Sequence, residues 1–539
     1  MSTDRLLARV TLPADPATVP ALQGLMMQAA RGCVDHPDDL PALGRLVEEV
    51  ALHVIRTAFD PGEHGEYTAE LVKRPDQLVF AIEDKGLPAP YNAGGVDAAN
   101  GARAGFQPFL PANLADRVAF RNLGRGGKRL EVARSLSTPP GAAPPDAPVP
   151  DEAEPPRALD EVTLRLLDAE DAPSLSRLMY RSYGYTYGSE FVYYPERIVA
   201  MLASGKLVSL IAVNESGDVV GHLAMLLHGP DSTTGETAMA AVDPRYRGRR
   251  LFERMKDEMR DLARNRRYFG LFSEAVAVHT FTQKGNLALG GFETGFLLAF
   301  TPATQVFRKI SDGPVADRRS AVLFYLRTND EPDRVIHAPS HHRVMVDAII
   351  QRGGMNRRIA VPDPHLTLHS LRGRDAALDV AARQDVGRAF LTVRAYGADV
   401  LRRVQEELRT LCRHGYACVY LELPLSDPMT ALLCKGFEAF GFFFAGVLFE
   451  VEGGDALRLQ YLNGAAINEE DIKVASPFGR DLLSYVLAAK NEVDWARQER
   501  RRLVSPRGGA TARARRRADS DQAQPAAIAP VQAKAAELV

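Results

Sequence analysis

The stretch Ala240-Ala241-Val242-Asp243-Pro244-Arg245-Tyr246-Arg247-Gly248-Arg249-Arg250-Leu251 constrains this chain more than any other. An apolar strand enters a Pro-containing turn, and a basic, glycine-bearing loop then opens a helix that runs on through Phe252-Glu253-Arg254-Met255. The backbone N–H groups at such a helix start form an anion cradle, and the helix dipole favours negative charge there. Arg247, Arg249 and Arg250 add full positive charge around the same place. A diphosphate-bearing ligand suits that cradle. The competing reading is a solvated basic turn.

At 539 residues the chain exceeds what one hydrophobic core supports, and typical domain size gives about three to four domains. Its 46 % apolar and 25 % charged residues are those of an ordinary globular protein. A formal net charge of -2 gives no reason to expect a whole-protein nucleic-acid binder. Cys33, Cys412, Cys418 and Cys434 follow no metal-ligand spacing and read as reduced, buried thiols. No basic-then-apolar leader and no run of 18 apolar residues is present, so a cytoplasmic protein without membrane contact is expected.

Two segments cannot build a core. Residues 138–158 are rich in Pro, Ala and acidic side chains and read as an extended linker. Residues 505–539, with Arg513, Arg515, Arg516 and Arg517, read as a disordered basic tail. Outside them lie three blocks, 1–137, 159–305 and 306–504, each alternating strand and helix signals, so the class is multidomain α/β.

In the middle block a strand at 162–166 leads to a helix, the tyrosine-rich Tyr183-Gly184-Tyr185-Thr186-Tyr187, and a hairpin turning at Gly217-Asp218. Then come a strand at 237–242, the basic loop with its helix, a strand at 268–278, a helix from about Thr280, and a closing strand after Gly291-Phe292-Glu293. This order, with the loop, resembles the GNAT N-acetyltransferases. Val242, Pro244, Tyr246, Arg247, Gly248 and Leu251 match the family's pyrophosphate loop, whereas Arg250 and Phe252 replace its two later glycines. The resemblance implies acetyl-CoA as co-substrate, with the backbone of Val242 on the pantetheine and Arg247, Gly248, Arg249, Arg250 and Leu251 at the pyrophosphate. It also implies a general base near the strand head, where Glu236 has the family's spacing. Glu274 is the second candidate, a carboxylate inside an apolar strand whose burial would raise its pKa. The family's acid tyrosine is replaced by Leu287, and His279 stands as a substitute acid/base.

Three motifs in residues 5–137 resemble the histidine-kinase-like ATPase fold in its anti-sigma serine kinase form. They are a helix at 47–59 with Glu49 and with His53 in the Mg²⁺-binding Asn position, a strand ending in Asp84-Lys85-Gly86, and Gly124-Arg125-Gly126 as a lid followed by a helix. The resemblance implies an α/β sandwich with ATP or ADP beside Glu49, His53, Asp84, Gly86, Gly124 and Gly126. Imidazole is a poor ligand for Mg²⁺, so kinase chemistry is not expected. A docking role for a protein partner is the alternative.

The third block echoes the second: Glu422 with Gly436-Phe437-Glu438 parallels Glu274 with Gly291-Phe292-Glu293. Val393-Arg394-Ala395-Tyr396-Gly397-Ala398 takes the place of the basic loop, so a degenerate, silent GNAT-like half is expected. Ser340-His341-His342 shows no third ligand at helical spacing, and no metal site is expected. Together these features favour acyl transfer from acyl-CoA to an amine, on a small molecule or a protein lysine, with a nucleotide-binding or docking domain in front. The alternative is a signalling regulator of the anti-sigma type whose GNAT-like halves sense acetyl-CoA without catalysis.

Overall fold

The computed structural model describes residues 4–89, 110, 114–136, 161–305 and 317–504, apart from positions 35, 37, 61, 228, 230, 231, 362 and 452; side chains are described up to residue 500. The expected linker at 138–158 and basic tail at 505–539 lie outside the described residues.

The first block is a two-layer unit. Strands β1 (Arg5–Pro13), β2 (Glu66–Lys73), β3 (Gln77–Asp84), β4 (Arg117–Asn122) and β5 (Lys128–Ser135) form one antiparallel sheet in the order β1-β2-β3-β5-β4. Helices α1 (Val19–Ala30) and α2 (Asp39–Ala58) pack their apolar stripes on it: Leu43, Leu46, Val47, Val50 and Val54 of α2 meet Leu71, Phe80, Ile82 and Val132. The segment after Gly126, expected as a helix, is strand β5. The alternation of its side chains accounts for that: Leu130 and Val132 point into the core, while Arg129 on the other face binds Glu70, Glu83 and Glu131.

The second and third blocks share a single sheet. In the second run β6 (Val162–Leu166), α3 (Ala172–Tyr183), α4 (Pro195–Ala203), β7 (Leu207–Asn214), β8 (Val219–Leu226), β9 (Thr234–Val242), α5 (Leu251–Asn265), β10 (Gly270–Val276), α6 (Phe281–Ala288) and β11 (Phe292–Thr301). The third holds β12 (Arg319–Arg327), β13 (Arg334–Ile336), α7 (Arg343–Gly353), β14 (Arg357–Ile359), β15 (Ala377–Arg383), β16 (Arg388–Ala395) and α8 (Val400–Arg413). It closes with β17 (Cys418–Pro424), α9 (Met429–Glu438), β18 (Phe443–Val451), β19 (Gly454–Leu462) and α10 (Pro477–Val504). Twelve strands line up as β6-β7-β8-β9-β10-β12-β11-β18-β19-β17-β16-β15. β12, which the sequence groups with the third block, inserts between β10 and β11 and completes the second block's sheet.

The order β9-β10-β12-β11 is mirrored by β16-β17-β19-β18, and β11 meets β18 at Gly295 and Gly446. Four residues beyond those glycines, Ala299 and Glu450 share a φ of 53°. This offset pairs Gly290 with Gly441, so the structural echo of Gly291-Phe292 is Phe442-Phe443, while Gly436-Phe437-Glu438 lies within α9. Helix α10 packs on both β11 and β18, with Leu482, Val486 and Val493 buried.

β9 carries a bulge in its second half. Register slips between His222 and Ala224 of β8, and Met239 takes φ 55°, a conformation that needs support in a non-glycine residue. His222 supplies it, bonding Met239 O through Nδ1 at 2.8 Å and Ser209 Oγ through Nε2 at 2.6 Å. Burial pushes the His222 pKa down to about 4.

These buried groups make stability depend on pH and on single side chains. The folded chain holds His222 neutral while the unfolded chain protonates near pH 6.5, so its contribution is complete above that pH and is lost as pH falls toward 4. On the order of 2 kcal/mol is lost by pH 5. Urea titrations at pH 7.5 and 5 should show this loss in the native chain and a smaller one in His222→Asn; equal losses would refute the role. In the first block Asp84 and Lys128 form a buried ion pair, and Lys128 Nζ also donates to Leu87 O at 2.7 Å. Asp84→Ala should cost about 3–5 kcal/mol by stranding the ammonium, and an unchanged urea midpoint would count against it.

Candidate active site

The site is a wedge in the sheet. β9 and β10 pair in parallel only from Thr234–Thr237 against Gly270–Ser273; beyond this, β9 enters its bulge while β10 stays on β12. Side chains alternate across the sheet, so Glu236 and Glu274 share the face on which α3 packs. Thr237 and Ser273 share the face under α5 and α6, where they line a small cavity with Lys256 and Asn286.

Glu236 is surrounded by protein yet keeps accessible surface, as a group lining an interior space does. Burial first, and the neighbouring Glu274 second, push its pKa up to about 8, against the pull of Arg388, Arg458 and Arg383. Burial also raises Glu274, opposed by Arg388 and Arg458. These arginines come from the third block. Arg458 of β19 binds Glu422 through Nη2 at 2.6 Å and reaches Glu274 at 3.7 Å. Arg388 of β16 lies 3.5 Å over the Phe300 ring, and its Nε and Nη1 are buried with no hydrogen-bond partner among the described residues. The turn between β15 and β16 closes on the second block: Arg383 donates to Ser189 Oγ at 3.3 Å, and Val386 packs against Gly188.

The tyrosine segment after α3 covers the same face. Tyr183 OH donates to Ala240 O, and Met239 N–H donates to Tyr187 OH at 3.1 Å, so hydroxyls meet two backbone groups of the bulge. Tyr183, Tyr185 and Tyr187 are all held above their usual pKa by burial.

At the end of β9 the basic loop folds on its own side chains. Asp243 is buried, accepts from Arg245 N at 2.9 Å and pairs with the Arg245 guanidinium at 2.8 Å. Tyr246 is buried and accepts from Asn214 Nδ2 at 3.0 Å. Gly248 has φ 83° and Arg250 φ 58°, turning the backbone so that α5 starts at Leu251. Val242 ends β9 directly before this turn. The three arginines fan apart: Arg247 is half-buried, its pKa lowered by that burial, with Tyr183 and Asp243 nearby. Arg249 lies 5.0 Å over the Tyr246 ring, and Arg250 reaches out to Glu253. Phe252, in a glycine position of the resembled motif, places its ring 4.8 Å from Lys256 Nζ and close to Gly285 of α6.

Lys256 was not singled out from sequence. It is buried, its pKa drops to about 7 for that reason, and it donates to Asn286 Oδ1, whose Nδ2 donates to Ser273 Oγ at 2.9 Å. The available signal was a lysine on the apolar stripe that carries Met259 and Ala263. His279 is not brought to the glutamates. It comes after β10 at the head of α6, with Nδ1 buried and unpartnered, and no hydrogen bond joins it to Glu236 or Glu274 among the described residues.

Among the described residues, the expected nucleotide-binding positions Asp84, Gly86, Gly124 and Gly126 make packing contacts. Glu49 is exposed on α2, and burial followed by the charge of Lys128 lowers His53 to about 4, so an ammonium stands near where the resemblance places a metal ion. Asp84 is committed to Lys128 and to Gly86 N at 2.9 Å, and a Cβ at Gly86 would strike Ala58 O. Gly124 and Gly126 form a turn docked on the second block: Arg125 donates to Tyr187 O at 2.7 Å, Gly188 O at 2.9 Å and Glu190 at 3.2 Å. Asn122 donates to Tyr193 O at 2.7 Å, and Tyr185 OH to Gly86 O at 2.8 Å. Nothing in this structure supports the ATPase expectation, and among the described residues Asp84, Gly86 and the Gly124–Gly126 turn are engaged in packing.

No protein-family model and no curated protein matches this chain. Solved structures do. The ribosomal-protein-S18-alanine N-acetyltransferase from Escherichia coli is similar at 17 % identity over 32 % of this chain and 98 % of its own, with a TM-score of 0.26. A putative acetyltransferase from Salmonella typhimurium, yncA, solved with acetyl-CoA, is similar at 14 % identity over 32 % and 98 %, with a TM-score of 0.26. The GNAT family N-acetyltransferase YhbS from Escherichia coli, in complex with CoA, is similar at 22 % identity over 22 % and 66 %, with a TM-score of 0.19.

Proposed function

We propose that this chain transfers an acyl group from acyl-CoA to an amine in the wedge between β9 and β10. The observation that carries the reading is Glu236, enclosed on the α3 face of the wedge with a raised pKa, on the strand that itself ends in a basic helix-opening loop. In this reading the diphosphate rests on the N–H groups from Gly248 to Phe252, with Arg247 and Arg249 beside it. The backbone of β9 through Val242 positions the pantetheine arm, and its entry displaces the Tyr183 hydroxyl from Ala240 O. Glu236 removes a proton from the acceptor ammonium. The free amine attacks the thioester carbonyl, the carbon–sulfur bond breaks, and the proton left on the new amide nitrogen passes to the departing CoA thiolate. Glu274 shares the negative field that binds the ammonium. His279 is left without a role in the step.

The acceptor side is bipolar. Two carboxylates face a guanidinium, Arg388, whose buried donors want an acceptor. An amine bearing a carboxylate or phosphate satisfies both, and we assign the acceptor to that class. The third block thus lines the acceptor space. Its own cradle position is closed: Ala398 N donates to Arg374 O at 3.0 Å and Ala376 N to Asp399 at 2.9 Å.

A second reading, binding without turnover, has specific support in Phe252 between α5 and α6 and in the tyrosines on the bulge. The first block touches that same tyrosine segment and would then report cofactor occupancy to a partner.

Thiol release from acetyl-CoA, measured across a panel of neutral and anionic amines, separates the two. Glu236→Gln should lower kcat by about 10²–10⁴-fold and remove a rise in rate that accompanies deprotonation near pH 8 in the native chain. Saturable cofactor binding with no release on any acceptor favours the second reading. Arg388→Met should raise KM for anionic amines about tenfold or more while leaving KM for acetyl-CoA unchanged. An equal loss for neutral amines would refute the anion subsite.

A further inference from the structure

Two histidines before α7 and two side chains on α9 converge outside the acyl site. Cys434 and Glu438 stand one helical turn apart and face the same way. Glu438 Oε1 lies 2.7 Å from His341 Nε2, 2.8 Å from His342 Nε2 and 3.7 Å from Cys434 Sγ. The four donor atoms all fall within 4.8 Å of one another, with His342 and Cys434 buried. Tyr485 of α10 stands behind them: its hydroxyl is 2.7 Å from His342 Nδ1 and 3.2 Å from His341 O.

In the metal-free cluster Glu438 Oε1 accepts from the Nε2–H groups of both histidines, and the Tyr485 hydroxyl makes its shorter contact with Nδ1 of His342. A cation at the point where the four ligand atoms converge would take the place of those Nε2 protons. His342 would then be a neutral ligand through Nε2 with its Nδ1–H turned to the Tyr485 oxygen, the usual outer arrangement of a metal-bound imidazole.

We propose that His341, His342, Cys434 and Glu438 bind one divalent zinc ion in a closed tetrahedral site that fastens α7 to α9. Two imidazoles, a thiolate and a carboxylate form a ligand set that suits zinc, and four protein ligands leave no open position for chemistry. Binding requires the nitrogen–oxygen separations to open to about 3.3 Å and releases the Cys434 thiol proton. The sequence hides this site because its halves lie about ninety residues apart, one in the turn before α7 and the other on α9.

The test uses the untagged full chain, loaded with zinc, desalted and analysed by plasma mass spectrometry. About one zinc per chain is expected, falling below a tenth of that in His342→Ala and Cys434→Ser but not in His279→Ala. Cobalt loading of the native chain, which depends on no variant, should give tetrahedral visible bands and a thiolate charge-transfer band. A native chain that retains no zinc and gives no such bands, or variants that hold as much zinc as the native chain, would overturn the proposal.

Discussion

The close approach of two backbones, at Gly295 of β11 and Gly446 of β18, is the contact on which the larger architecture depends. A Cβ at Gly295 would sit 2.2 Å from Ala445 O, and one at Gly446 would sit 2.5 Å from Thr294 O. Only glycine permits strands to meet at that separation. The ladder there is a single pair, and the Gln460 side chain extends it by accepting from Leu298 N at 2.9 Å and donating to Phe296 O at 2.9 Å. A buried amide thus stands in for the missing backbone partner. Helix α10 then covers the seam from one face.

Joining two half-sheets in this way has an electrostatic consequence. It places Glu236 and Glu274 from one half on the same face as Glu422, Arg388 and Arg458 from the other. Carboxylates in an enclosed space are costly alone, and the arginines make them tolerable without pairing Glu236 directly. The remaining imbalance leaves one carboxylate readily protonated and one guanidinium short of acceptors, the pattern expected of a site awaiting a charged guest.

What could be read from sequence was whatever local pattern encodes. The hairpin at Gly217-Asp218, the amphipathic α8, the strand–loop–helix at 240–255 and the position of Glu236 all arise from short-range periodicity and spacing. Long-range pairing was not legible. Nothing local announces that β12 crosses to lie between β10 and β11, or that Arg388 faces a glutamate 152 positions before it. Two misreadings had visible counter-signals. Leu130 and Val132 alternating with Arg129 and Glu131 spell a strand, although the glycines before them suggested a lid. Gly436-Phe437-Glu438 continues the run Met429-Thr430-Ala431-Leu432-Leu433-Cys434 as one helix, although its likeness to Gly291-Phe292-Glu293 suggested a strand start.

A crystal structure of the full chain with acetyl-CoA tests the account most directly. It should place the diphosphate against the N–H groups opening α5, the pantetheine between β9 and β10, and the Tyr183 hydroxyl away from Ala240 O. Cofactor bound elsewhere, or a wedge that stays closed by its tyrosines at saturating cofactor, would contradict it.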